Sequence, residues 1–345
     1  MKVNNCFLPA MLTFAICMVI CRANAQDLQA DNMLLFQRQS GGWHKQLREK
    51  GFSYNQVFSA ADSAQIAVEK KEGLSTIDND ATNKEINYLV HIYKTVPNPK
   101  YLAAAERGIR YLLKAQYANG GFPQYYPDHG LYRNEITYND NAMINTLNTL
   151  RDVAMRRNGF DIVDQQLVGP CAAAVSRGVD CIINTQIKAN GKLTAWCQQY
   201  DEKTLAPAKA RAYELPSISG AESVGIIEFL IGQPTQTAET KRAINAAVEW
   251  LNTVKIVGYK FDIKVPDPKA PEGKDRRLVP DSSSTVWARY YEIGTNRPFF
   301  CDRDGVKKYD LRELSYERRD NYGWYGTWPK KLLAVDYPEW VKKWK

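Results

Sequence analysis

Apolar residues recur three and four positions apart along much of the chain. The pattern is clear in "AAAERGIRYLLKAQYA" (103–118), "NAMINTLNTLRDVAMRR" (141–157), "AAAVSRGVDCIINTQIKA" (172–189) and "AINAAVEWLNTV" (243–254). That period lays one apolar stripe along a helix, so each segment predicts an amphipathic helix packed on a core. Gly, Pro and Asn clusters separate the segments. Convincing strands are few. The expected class is all-α, with long loops and few short strands.

A longer period overlies the short one. "LLFQRQSGGWHKQ" (34–46) sets Gly-Gly-aromatic four to six residues after Gln37. "LLKAQYANGGFPQYYPD" (112–128) repeats this after Gln116, and "IINTQIKANGKLTAWCQQYD" (182–201) is a degenerate copy after Gln186. Each copy reads as a helix end, a glycine cap and an aromatic-bearing turn. Spacings of 79 and then 70 residues suit helical hairpins with long loops. Stacked in a ring, such hairpins make an α/α toroid, whose helix ends share one face.

The first 25 residues read differently. Lys2 precedes an apolar run from Cys6 to Cys21, and Ala23-Asn24-Ala25 follows. This is the pattern of a secretory signal cut before Gln26, leaving one domain over 26–345. The apolar run is too short for a comfortable membrane span, so no stable membrane insertion is expected, and the product is secreted or periplasmic. Losing Lys2 and Arg22 lowers the formal charge of +8 to +6. A basic secreted protein suits an acidic partner, and charge alone does not choose among polyuronate, anionic surface and nucleic acid. No helix-turn-helix, zinc-finger or basic-stripe pattern supports nucleic acid. Cys171, Cys181, Cys197 and Cys301 remain, and their spacing selects none of three possible pairings. Only three histidines occur, which weakens mechanisms built on a histidine base or a histidine-rich metal site.

Two segments place acids just before a helix. "LSTIDNDATNKEINYLVHIY" (74–93) carries Asp78 and Asp80, and "EITYNDNAMINTLNTL" (135–150) carries Asn139 and Asp140. Helix capping explains one acid per helix. Carboxylates and asparagine from both turns on one face would instead bind a hard cation such as calcium. Ser219 and Glu222 form a capping-box pattern after Arg211. Arg289, Arg297 and Arg303 follow. Arg289 pairs with Glu292, and Arg303 with a flanking aspartate, or else the arginines grip substrate carboxylates. Trp43, beside glycines in a loop, is a candidate for stacking on sugar rings.

The blocks "GGWHKQ", "TIDNDAT", "GGFPQYYP", "TYNDNAM", "ARAYELPSISGAES", "IGTNRPFF", "RDGVKKYDL" and "ERRDNYGWYG" together resemble polysaccharide lyase family 10, the pectate lyases. They run in order from Gly41 to Pro329. The resemblance implies an α/α toroid with a central groove and calcium-dependent β-elimination of polygalacturonate. It makes Asp140, Asp78 and Asn139 metal ligands, with Asp78 also at the substrate. It makes Arg211 and Arg289 ligands of substrate carboxylates; Tyr213, beside Arg211, and Trp43 are further candidates for substrate binding. It makes Arg303 the base that removes the C5 proton. Asp302 stands where the family often has glycine. A monomer is expected. The rival readings are a metal-free glycoside hydrolase using Asp78 and Asp140 as its carboxylate pair, and a non-catalytic binder of acidic polysaccharide.

Overall fold

A computed structural model describes residues 26–127 and 130–344, so the signal segment and His129 lie outside the described residues. Eight helices carry the core: α1 (Leu28–Phe36), α2 (Ala60–Glu69), α3 (Asn83–Tyr93), α4 (Pro99–Ala115), α5 (Ala142–Ala154), α6 (Val168–Thr185), α7 (Glu222–Ile231) and α8 (Ala238–Thr253). In α4 the sequence logic is visible. Pro99 opens the helix, and Asn98 accepts a hydrogen bond from the Lys100 amide at 3.1 Å. Tyr101, Ala104, Ala105, Gly108, Ile109, Tyr111, Leu112 and Ala115 form its buried stripe.

The helices pack as pairs, α3 with α4, α5 with α6 and α7 with α8. The glutamine echo is the stitching between them. Each glutamine ends a helix and donates its amide twice, once to its own loop and once to a later helix. Gln37 reaches Gly41 O (2.7 Å) and Ala104 O (2.8 Å). Gln116 reaches Gly120 O (3.0 Å) and Ala174 O (2.8 Å). Gln186 reaches Thr194 O (2.8 Å) and Ala243 O (2.9 Å). The aromatic of each copy, Trp43, Phe122 or Trp196, is fully buried. Truncating such a ring costs about 3–5 kcal/mol. Gly120 is required: a Cβ there would sit 1.9 Å from Arg177 O.

The expectation of an all-α toroid with few short strands is corrected. The fold is mixed α and β. Ile256–Pro266 and Lys274–Ala288 form a long antiparallel hairpin, joined at its far edge by Tyr325–Gly326. Short strand pairs lie beside the helix starts: Ser75–Thr76 with Tyr125–Tyr126, Ile136–Thr137 with Gln199–Tyr200, and Ile218–Ser219 with Tyr290–Tyr291. Among the described residues the principal helix packing runs from each pair to the next and does not close from the third pair back to the first. The strands were missed because two-residue pairings have no period to detect. The hairpin was missed because its sequence mixes lysines and acids among Val, Tyr, Phe and Ile. The four cysteines within the described residues are buried free thiols.

Candidate active site

The two acid turns have one construction. Trp43 O accepts from Thr76 N, and Phe122 O accepts from Thr137 N, so each buried aromatic fixes the strand that leads into a turn. Asn79 and Asp80 in the first turn, and Asp140 and Asn141 in the second, have φ between 49° and 62°. This left-handed backbone is tolerated best by Gly, Asn and Asp. Neither turn caps its helix through a side chain, so the capping explanation does not hold. A third copy escaped the sequence reading. Ser219 N donates to Trp196 O, and Glu222 follows at the start of α7. The Ser219 hydroxyl touches the Glu222 carboxylate and accepts from its backbone N–H at 3.2 Å, as the capping pattern suggests.

Asp78, Asn139, Asp140, Arg211 and Glu214 line one cavity of about 130 Å³ together with Lys45, Gln124 and Gln199. Asp78 is buried and ion-paired with Lys45. Asp140 is half-exposed and accepts from Asn139 Nδ2 at 3.0 Å. Burial raises the Asp140 pKa; Arg289 opposes this, while Glu222 and Asp78 add to it. Gln124 Oε1, Asn139 Oδ1 and Gln199 Oε1 are buried acceptors without a hydrogen-bond partner among the described residues. Two carboxylates and three unpartnered amide oxygens form an all-oxygen donor set, and that chemistry fits a hard cation such as calcium. Larger clefts, one of about 760 Å³ between α5, α6 and the start of α8, lack this combination.

Among the described residues, one group has carboxylate oxygens already converged within 4.8 Å: Glu135, Asp201 and Glu202. Burial, then Glu202 and Asp201, push the Glu135 carboxyl up to about 7. No sequence motif marked this group, because its members come from separate loops.

The arginines divide into three kinds. Arg289 is nearly buried, ion-paired with Glu222, 3.9 Å from Asp140 and above the Tyr322 ring at 5.1 Å. Burial lowers its pKa, but Glu222 and its other neighbours outweigh this and hold it charged. Its expected partner Glu292 instead binds Lys307 and Tyr309. Arg211 grips Glu214 through Nε at 2.7 Å and through Nη2. Burial again opposes the charge, and Glu214 overrides it. Arg303 is 65% exposed and lies outside the cavity lining. Its partner is Glu317, at 3.1 Å, and not a flanking aspartate. That pairing raises its pKa. Asp302 is a turn residue, accepting from Ser315 N at 2.5 Å and Arg303 N at 2.8 Å, and Asp304 pairs with Lys308.

Trp43 does not reach the cavity. It is a core plug whose Nε1 donates to Met33 O at 2.8 Å, so the sugar-stacking role is corrected. Loop position misled because the loop folds inward around its ring. Tyr213 is also buried, under a layer of guanidiniums: Arg318 at 4.3 Å, Arg211 at 4.9 Å and Arg303 at 5.9 Å from its ring. Lys45, Gln124, Gln199, Glu214 and Arg318 went unnoticed in the sequence. Lys45, Gln124 and Glu214 sit inside the quoted motifs "GGWHKQ", "GGFPQYYP" and "ARAYELPS", which was the available signal.

No curated protein matches the chain. The profile of the pectic acid lyase family matches residues 37–333. A family 10 polysaccharide lyase from Cellvibrio cellulosa superimposes with a TM-score of 0.78 at 37% identity, over 90% of this chain and 91% of that one. An aspartate-to-alanine mutant of a family 10 polysaccharide lyase from the same organism, in complex with trigalacturonic acid, matches at the same TM-score and identity, over 90% and 92%. With Asp78, Asp140, Glu214 and Arg211 at one cavity and nearly its whole length shared with these enzymes, the chain belongs to the pectic acid lyase family and is a pectate lyase.

Proposed function

We propose that the enzyme cleaves polygalacturonate by calcium-assisted β-elimination at the cavity between the acid turns, with Arg211 as the base. The observation that carries this is the meeting of Asp78, Asn139, Asp140 and Arg211 around one small cavity. The trigalacturonic acid complex of the related lyase supports an oligogalacturonate substrate. Asp78, Asn139 and Asp140 hold the cation, whose chemistry when bound is to place positive charge at the uronate carboxylate.

The C5 proton lies α to that carboxylate, so its loss builds enolate-like charge. Lys45 and Arg211 face the space where this charge develops. Arg211 would first release one proton to water, and its neutral Nη would then take the C5 proton. The C5–H electron pair becomes the C4–C5 double bond, the C4–O bond breaks, and the leaving oxygen gains a proton from water. In the free enzyme Glu214 keeps Arg211 charged. A cation held by Asp78, Asn139 and Asp140 would oppose Glu214 and favour the neutral form of Arg211 that the base role requires. Arg289, held by Glu222 and next to Asp140, braces the metal turn. Arg303 at the rim meets a carboxylate of the incoming chain. The leader of residues 1–25 supports export, and a purified mature chain should begin at Gln26.

The test is ultraviolet absorbance of the unsaturated product from polygalacturonate, with calcium and with chelator. Absorbance should grow only with calcium. New reducing ends without absorbance would establish hydrolysis instead. Arg211→Lys should abolish turnover and Arg303→Lys should not; the reverse result returns the base to Arg303.

A further inference from the structure

The cavity arginine is held by a chain of side chains, buried except for the partly buried Tyr322, that starts at the second acid turn. Gln198 serves both ends of it. Its carbonyl accepts from Tyr138 N at 2.8 Å and Asn139 N at 3.1 Å, fixing the turn before Asp140. Its side-chain amide lies 2.5 Å from Tyr290 OH. Tyr290 OH meets Tyr322 OH at 2.5 Å, and Tyr322 OH donates to Glu214 Oε1 at 3.0 Å. Glu214 then grips Arg211 at Nε, at Nη2 and at the backbone N–H.

The protons settle the direction of this chain. Three contacts between Gln198 and Glu214 share two tyrosine hydrogens, so one contact needs another donor. Gln198 Nε2 is a buried donor without an acceptor among the described residues. Turning the amide so that Nε2 faces Tyr290 supplies the third hydrogen. All donors then point the same way, from Gln198 through Tyr290 and Tyr322 to Glu214. The carboxylate at the end is 2% exposed, while the Arg211 side chain it holds is 45% exposed toward the cavity. A buried carboxylate costs stability that an apolar side chain would not. Here it fixes the aim of an exposed guanidinium.

We propose that Glu214, Tyr322 and Tyr290 are positioning residues for Arg211, and that they tie its aim to the turn carrying Asn139 and Asp140. The proposal rests on Arg211 as the base. Tyr322→Phe is the decisive variant, because it keeps the ring beneath Arg289 and Arg318 and removes only the hydroxyl. It should lower kcat about tenfold with KM within about twofold of the parent. Glu214→Gln should act in the same way. Since both lie on one chain, the double variant should be no worse than the weaker single. Tyr290→Phe, one link further away, should lower kcat about two- to threefold. Losses that multiply in the double variant, or an unchanged kcat in all three, overturn the chain. A rise in KM at constant kcat reads differently: the chain then aims a substrate ligand, and it is the base assignment that falls.

Discussion

Arg289 and Glu222 allow stability and activity to be separated. Their side chains are 14% and 3% exposed, so the pair is largely out of water. Arg289→Leu removes the guanidinium and leaves Glu222 with the Ser219 hydroxyl as its remaining side-chain partner among the described residues. Breaking a buried pair from one side costs about 3–5 kcal/mol, since the surviving charge is unpaired. Losing the contact with the Tyr322 ring falls within that range. Asp140 is half-exposed and is solvated after the change, so it adds little. Arg289→Leu with Glu222→Leu removes both charges and fills the space, and should recover most of the loss. Both variants should lack lyase activity, because Asp140 has lost its brace. Urea unfolding followed by circular dichroism measures the first effect, and product absorbance the second. A single variant within about 1 kcal/mol of the parent, or a double variant no more stable than the single, would refute the reasoning.

Other expectations follow from particular sites. Asp140→Asn keeps the left-handed turn and removes the charge, so calcium affinity by calorimetry should fall at least about tenfold; Glu135→Gln should leave it unchanged, and the opposite ranking would move the site to the Glu135 group. Glu85 is fully buried, its nearest cation is Lys84 Nζ at 3.8 Å from Oε1, and burial raises its pKa to about 7. The contribution of Glu85 to stability is therefore greatest below about pH 4.3, falls as pH rises toward 7 and then levels off, so Glu85→Gln should be the more stable protein at pH 8 and show a flatter dependence between pH 5 and 8. Gly108→Ala would put a Cβ 2.6 Å from Ile86 and 2.8 Å from Trp43, so the usual helix gain should be reversed, with a net loss of about 1–2 kcal/mol in the unfolding midpoint analysis.

Periodicity found the helices because a buried stripe repeats, as in α4. It also found the glutamine echo, though not its purpose, because the second acceptor of each glutamine lies 57 to 67 residues away. The turns carrying Asp78 and Asp80 and carrying Asn139 and Asp140 were legible as a pair. Glu222 stands three residues after Ser219, as Asp140 stands three after Thr137, but it was not legible as the third member because the residues between, Gly220 and Ala221, match nothing in "TIDNDAT" or "TYNDNAM". Trp43 and Arg303 show the limit of local context. Which way a loop ring turns, and whether an arginine meets a neighbouring aspartate or distant Glu317, depends on tertiary packing that local spacing does not encode.

The left-handed residues of the two acid turns bear on how this site evolves. An L-residue with a Cβ pays about 1–2 kcal/mol for that backbone, and Asn and Asp offset part of it locally. At positions 79, 80, 140 and 141 shape therefore favours a three-letter alphabet of Asn, Asp and Gly, before any demand from a ligand. Within that alphabet only aspartate carries charge. Drift at these positions can therefore move the charge of the site one step at a time without disturbing its geometry, so the scaffold can be retuned for a different cation or polymer while its fold stays in place.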